Sequence, residues 1–156
     1  MSDIKTFELS GWVCLKGGDH HGEPKDVFLE KKLPEDKSWY YPDVDSVGEE
    51  IQEHFSKIVK PIHLSYEDWT RGSFVAYKDV FLRYYVSPVE ITWDEAVEGQ
   101  IRSMSGEMQT ESRATGYSEY TVTDKWYDLF VGGHDLRREL SGHEGKYVLI
   151  KIDYKV

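Results

Sequence analysis

Between Val131 and Leu136 the chain reads Gly132-Gly133-His134-Asp135, and Arg137 and Arg138 follow within one helical turn. Two glycines entering a helix leave backbone N–H groups that can point at an anion, and the helix start adds partial positive charge. The chemistry this stretch could perform is therefore oxyanion binding, with a phosphate cradled by Gly132, Gly133, His134, Arg137 and Arg138. A tight strand-to-helix turn explains the same residues without a ligand. The chain carries no GxGxxG pattern and no Walker-type lysine, so the turn is the simpler reading.

Other groups that could do chemistry are sparse. Asp19, His20 and His21, with Glu23 and Asp26 nearby, are metal-ligand types in a glycine-rich loop. Adjacent histidines on extended backbone point apart, and ordering a flexible loop costs entropy. Neither HExxH nor a Cys/His zinc spacing occurs, so an exposed polar loop is expected, with no metal and no cofactor. Cys14 is the single cysteine, which excludes an intrachain disulfide and a cysteine zinc site and fits a reducing compartment. No G-x-S-x-G is present and Cys14 has no base near it in sequence, so no catalytic residues are assigned.

Charge points further. The net charge is −10. Residues 40–133 hold seventeen acids against eight Lys or Arg, a balance of −9, and residues 134–156 hold four against five, a balance of +1. An acidic middle argues against direct nucleic-acid binding, which needs cations to displace counterions from phosphate. It suits a partner protein with a basic surface. The candidate partner contacts are Glu49, Glu50 and Glu53 on a first helix and Asp94, Glu95 and Glu98 on a second. Trp39, Tyr40 and Tyr41 join them as bulky residues that either cover the core edge or form an interface patch.

The leading expectation is thus a small acidic, non-enzymatic binding protein that blocks or adjusts its partner. In composition it is like a small acidic inhibitor of a nucleic-acid-handling protein, of the sort mobile elements carry. The alternative is a protein that binds or hydrolyses a phosphorylated or nucleotide-like ligand at the Gly132–Arg138 turn. A third reading makes it a structural subunit. The N-terminal residues MSDIKTFELS contain no signal-peptide or membrane-span run, so a cytoplasmic protein is expected, with its oligomeric state open.

The elements that must position these residues follow from periodicity. Phe7 to Lys16 alternates as a strand, a turn-rich loop follows, and Asp26 to Leu33 returns as its hairpin partner. Ser46-Val47-Gly48-Glu49 is a capping box opening a helix whose apolar face is Val47, Ile51, Phe55, Ile58 and Val59, ended by Pro61. Ile62 to Ser65 looks extended, and FVAYKDVFLRYYV (74–86) is one strand or a hairpin broken near Lys78-Asp79. A second capping box, Thr92 to Glu95, predicts a second helix with Trp93, Val97, Ile101 and Met104 as its stripe, stopped at Ser105-Gly106. Residues 107–116 read as a polar loop, Tyr117 to Thr123 as a strand, and Asp124-Lys125 as a turn before the strand WYDLFV.

A short helix with Leu136 and Leu140 on one side, capped by Asp135 and ended by a positive-φ Gly142, precedes the last strand. There, Val148, Ile150, Ile152 and Tyr154 face a core and Tyr147, Lys151, Asp153 and Lys155 face water. The expected fold is one α+β domain over residues 1–156. It is a mainly antiparallel β-sheet with two amphipathic helices packed on one face and a short third helix before the C-terminal strand. One parallel pair across the Gly132–Gly145 connection is possible.

Overall fold

The computed structural model describes residues 4–16, 26–34, 40, 42–58, 63–66, 73–117 and 122–155. Strands β1 (Ile4–Lys16) and β2 (Asp26–Glu30) pair antiparallel, and helix α1 (Val47–Ile58) follows. Next come β3 (His63–Tyr66), β4 (Ser73–Ser87), β5 (Arg102–Tyr117) and β6 (Val122–Val131). The two-residue β7 (His134–Asp135), helix α2 (Leu136–Ser141) and β8 (Tyr147–Lys155) complete the chain. The strands form one curled, half-barrel sheet in the order β2-β1-β8-β4-β5-β6-β7, with β3 paired to β4 beside that path. Every strand pairing among the described residues is antiparallel, so the connection before β8 makes no parallel pair.

β8 lies between β1 and β4 and is buried along one face by Val148, Ile150, Ile152 and Tyr154, as alternation requires. Its other face is not uniformly wet. Tyr147 and Leu149 are buried there with Tyr85, under Trp12, Ile91, Trp93, Ala96 and Ile101. The sheet therefore has a large core on its helix-bearing face and a smaller cluster on the opposite one.

α1 forms where its capping box predicts. The Glu49 N–H donates to Ser46 Oγ at 3.2 Å, satisfying a donor that the first turn leaves open. Val47, Ile51 and Phe55 are fully buried against β2, β5 and β6, and each contributes roughly 1.5–3 kcal/mol of apolar burial. β4 is one strand, not a hairpin. Its register with β5 shifts between Tyr77 and Val80, a bulge that turns both side chains into the same core.

The second amphipathic helix is a correction, and with it the expected fold class. Trp93–Glu95 and Glu98–Gln100 are single 3-10 turns with no buried residues, and the chain then becomes β5. The capping box forms in part, since the Thr92 N–H donates to Glu95 Oε1 at 3.2 Å, but no helix propagates from it. A lone helix of that length is marginal and Gly99 lies in its middle, whereas β5 satisfies its backbone on both sides, with β4 and β6. Val97, placed on the apolar stripe, is 53% exposed. Residues 107–116 belong to β5 rather than to a loop, and Asp124-Lys125 lies within β6. Among the described residues the fold is mainly antiparallel β with one substantial helix, α1, and the single turn-and-a-half of α2.

Candidate functional site

The Gly132–Arg138 stretch is a β-hairpin leading straight into α2. Gly132 and Gly133 have φ of 57° and 84°, both positive as a two-residue hairpin turn with right-twisted strands requires. A Cβ on Gly132 would stand 2.1 Å from the Ser105 carbonyl oxygen, so glycine is demanded by space as well as by φ. The Gly132 N–H donates to the Glu107 carbonyl at 3.0 Å, joining the hairpin to β5. At the start of α2 the Arg138 N–H donates to Asp135 Oδ1 at 3.1 Å, so the helix carries its own carboxylate there. Gly142 ends α2 with φ −74°, not a positive one, and the left-handed residue is Gly145 at 86°.

The two arginines separate. Arg138 is exposed and pairs with Asp135 at 3.3 Å, and His134 is exposed on β7. Arg137 turns inward, where its Nη1 donates to Asp26 Oδ1 at 3.2 Å with side chains only 4% and 7% exposed. Asp26 opens β2 at one edge of the sheet, and α2 follows β7 at the other edge. The pair therefore ties the two edges of the curl together. Gly132, Gly133, His134 and Arg138 remain at the surface, and Arg137 is drawn away from them.

The carboxylates of α1 do converge. Oxygens of Asp45, Glu49 and Glu53 all lie within 4.8 Å of one another, on one side of the helix opposite Ile51 and Phe55. Asp45 was not among the residues singled out from sequence, although its spacing of four from Glu49 is the helical signal that finds it. Glu50 stands beside them, and burial, then the charges of Asp45, Glu53 and Glu49, push its carboxyl up to about 7. Such a group of oxygens can hold a guanidinium, an ammonium or a hard divalent cation.

Asp94, Glu95 and Glu98 are exposed but lie elsewhere. Their segment packs through Trp93 on the Tyr85–Tyr147–Leu149 cluster, across the sheet from α1, with Lys151 Nζ 4.9 Å over the Trp93 ring. Tyr40 stays close to the body of the protein. Its hydroxyl donates to the buried Glu30 carboxylate, which also accepts the Asp43 N–H at 3.0 Å, and its ring meets Phe28 edge-on. Burial, then the bond to Glu30, raises its pKa. Trp39, Tyr41, and the candidate ligands Asp19, His20 and His21 lie outside the described residues.

Sequence reasoning also missed a group on the helix-bearing face. Tyr84 and Arg102 are register partners on β4 and β5, and the Tyr84 hydroxyl donates to Glu139 Oε1 at 3.0 Å. His143 follows in the turn after α2. The four-residue spacing of Glu139 and His143 was the available signal. The pairing of Tyr84 with Arg102 depends on the register of a strand that read as a helix. Comparison of the chain with protein-family models, curated proteins and solved structures finds no match. Among the described residues no helix is long and apolar enough to cross a membrane.

Proposed function

We propose that this chain is a small acidic binding protein that docks through the carboxylates of α1 on a basic surface of a partner protein. The observation that supports this reading is the crowding of Asp45, Glu49 and Glu53 within 4.8 Å, together with the raised carboxyl of Glu50. Like charges held this close repel one another, and an incoming arginine or lysine relieves that repulsion. The opposite side of α1 is anchored by Val47, Ile51 and Phe55, so little ordering entropy is lost when the acidic side is engaged. The net charge of −10 adds long-range steering toward a cationic partner. A cytoplasmic inhibitor or regulator of a nucleic-acid-handling protein, of the sort mobile elements carry, fits such a surface, because that partner's phosphate-binding cations match the carboxylates. Asp94, Glu95 and Glu98, on the other face, contribute to steering rather than to the same contact.

The test is the affinity of an arginine-rich peptide, followed by fluorescence anisotropy at low and high salt. Wild type is expected to bind at low salt and weaken steeply as salt rises. Replacing Glu49 and Glu53 by glutamine is expected to weaken binding at least about tenfold, equivalent to ~1.4 kcal/mol. Equal affinity for wild type and the Glu49→Gln/Glu53→Gln variant would sink the assignment to α1.

A further inference from the structure

An open cleft of about 370 Å³ lies at the end of the sheet, where the two faces meet, between β4, the 98–102 segment and the turn after α2. That volume lies in the range of small-molecule sites. Tyr84 forms part of its wall and is only 1% exposed, held by its hydrogen bond to Glu139 at 3.0 Å. Glu139 is thereby engaged by a neutral donor. The polar side chains that line the opening are Arg102, His143 and Gln100, and Val86 and Ile101 supply apolar wall.

Charges of both signs surround His143, the Arg102 and Lys146 cations with the Glu139 carboxylate opposing them. Burial, then these two cations, push the His143 imidazole down, with Glu139 opposing, so the ring is neutral near pH 7 and able to donate one N–H. A guanidinium fork beside a neutral imidazole donor matches two oxygens of one oxyanion.

We propose that this cleft binds a small organic oxyanion, with a carboxylate or phosphate group on Arg102 and His143 and an apolar body against Val86 and Ile101. The site uses no residue of α1, so it and the docking face stand or fall separately. Gly99 supplies the means of closing it. A Cβ built there meets nothing within 4 Å, so a larger side chain can occupy the opening without disturbing the fold.

The test is an NMR titration of the intact protein with three probes sharing one ring: phenyl phosphate, benzoate and benzyl alcohol. Saturable shifts at Gly99, Gln100, Arg102 and His143 are expected with at least one of the two anions, at least about tenfold tighter than with the alcohol. The comparison of phenyl phosphate with benzoate identifies the head group. Gly99→Leu, which fills the opening, and Arg102→Gln, which removes the fork, are each expected to weaken the tighter anion at least about tenfold. The proposal is overturned if neither anion outperforms benzyl alcohol. It is equally overturned if either variant binds the anion as wild type does.

Discussion

Replacing Arg137 by methionine removes one half of the ion pair that joins the two edges of the curled sheet. The Asp26 carboxylate would stay behind with its side chain 7% exposed, having lost its 3.2 Å partner. Removing one partner of a buried pair costs about 3–5 kcal/mol, because the desolvation of the remaining ion is offset less. With a urea m-value of about 2 kcal/mol/M, the unfolding midpoint should fall by roughly 2 M. The variant Asp26→Leu/Arg137→Met removes both charges of the pair and should recover most of that loss, so the double-mutant cycle should show strong coupling. Urea unfolding followed by tryptophan fluorescence measures Arg137→Met, Asp26→Leu and the double variant. A cost under about 1 kcal/mol for Arg137→Met, or simple additivity of the two single changes, would refute the clamp.

Other consequences can be checked with the same protein. Gly132→Ala places a Cβ against the Ser105 carbonyl at φ 57° and should cost at least about 2 kcal/mol, whereas Gly133→Asn should cost within about 1 kcal/mol; thermal melts compare them. Ser46→Ala removes the cap accepted from Glu49 N–H and should cost about 1 kcal/mol by urea unfolding. Glu50 has a folded pKa of about 7 against 4.5 for the free group, so the native state holds the extra proton between these values and stability falls as pH rises through that window. Glu50→Gln should abolish that fall, matching wild type near pH 4 and exceeding it by about 1 kcal/mol near pH 8 once solvent screening is allowed for; an identical pH profile would contradict the burial of Glu50 and the charges around it.

Much of the fold was legible because single-period signals were unambiguous. β8 alternates along its length, and α1 repeats Val47, Ile51 and Phe55 behind a cap that forms as read. The second helix failed because its expected stripe is split: Trp93 and Ile101 pack on the Tyr85–Tyr147–Leu149 cluster from 3-10 turns and their links, whereas Met104 enters the main core from β5. Met104 and Met108 are buried on one side of β5, while its exposed side is Ser103, Ser105 and Glu107, which read as the end of a helix, its stop and the start of a loop. β4 hid its phase because the bulge between Tyr77 and Val80 reverses the alternation midway. At the candidate sites, the convergence of the α1 carboxylates was readable from spacing. The burial of Arg137 was not, since its partner Asp26 lies 111 residues away and meets it only when the sheet curls.

The central claim concerns the carboxylate face of α1, and native mass spectrometry of the protein isolated at low salt from its own host tests it most directly. The expected result is a complex with a basic protein that dissociates as salt is raised and is not recovered with the Glu49→Gln/Glu53→Gln variant. A partner that survives high salt and is retained equally by that variant would contradict it.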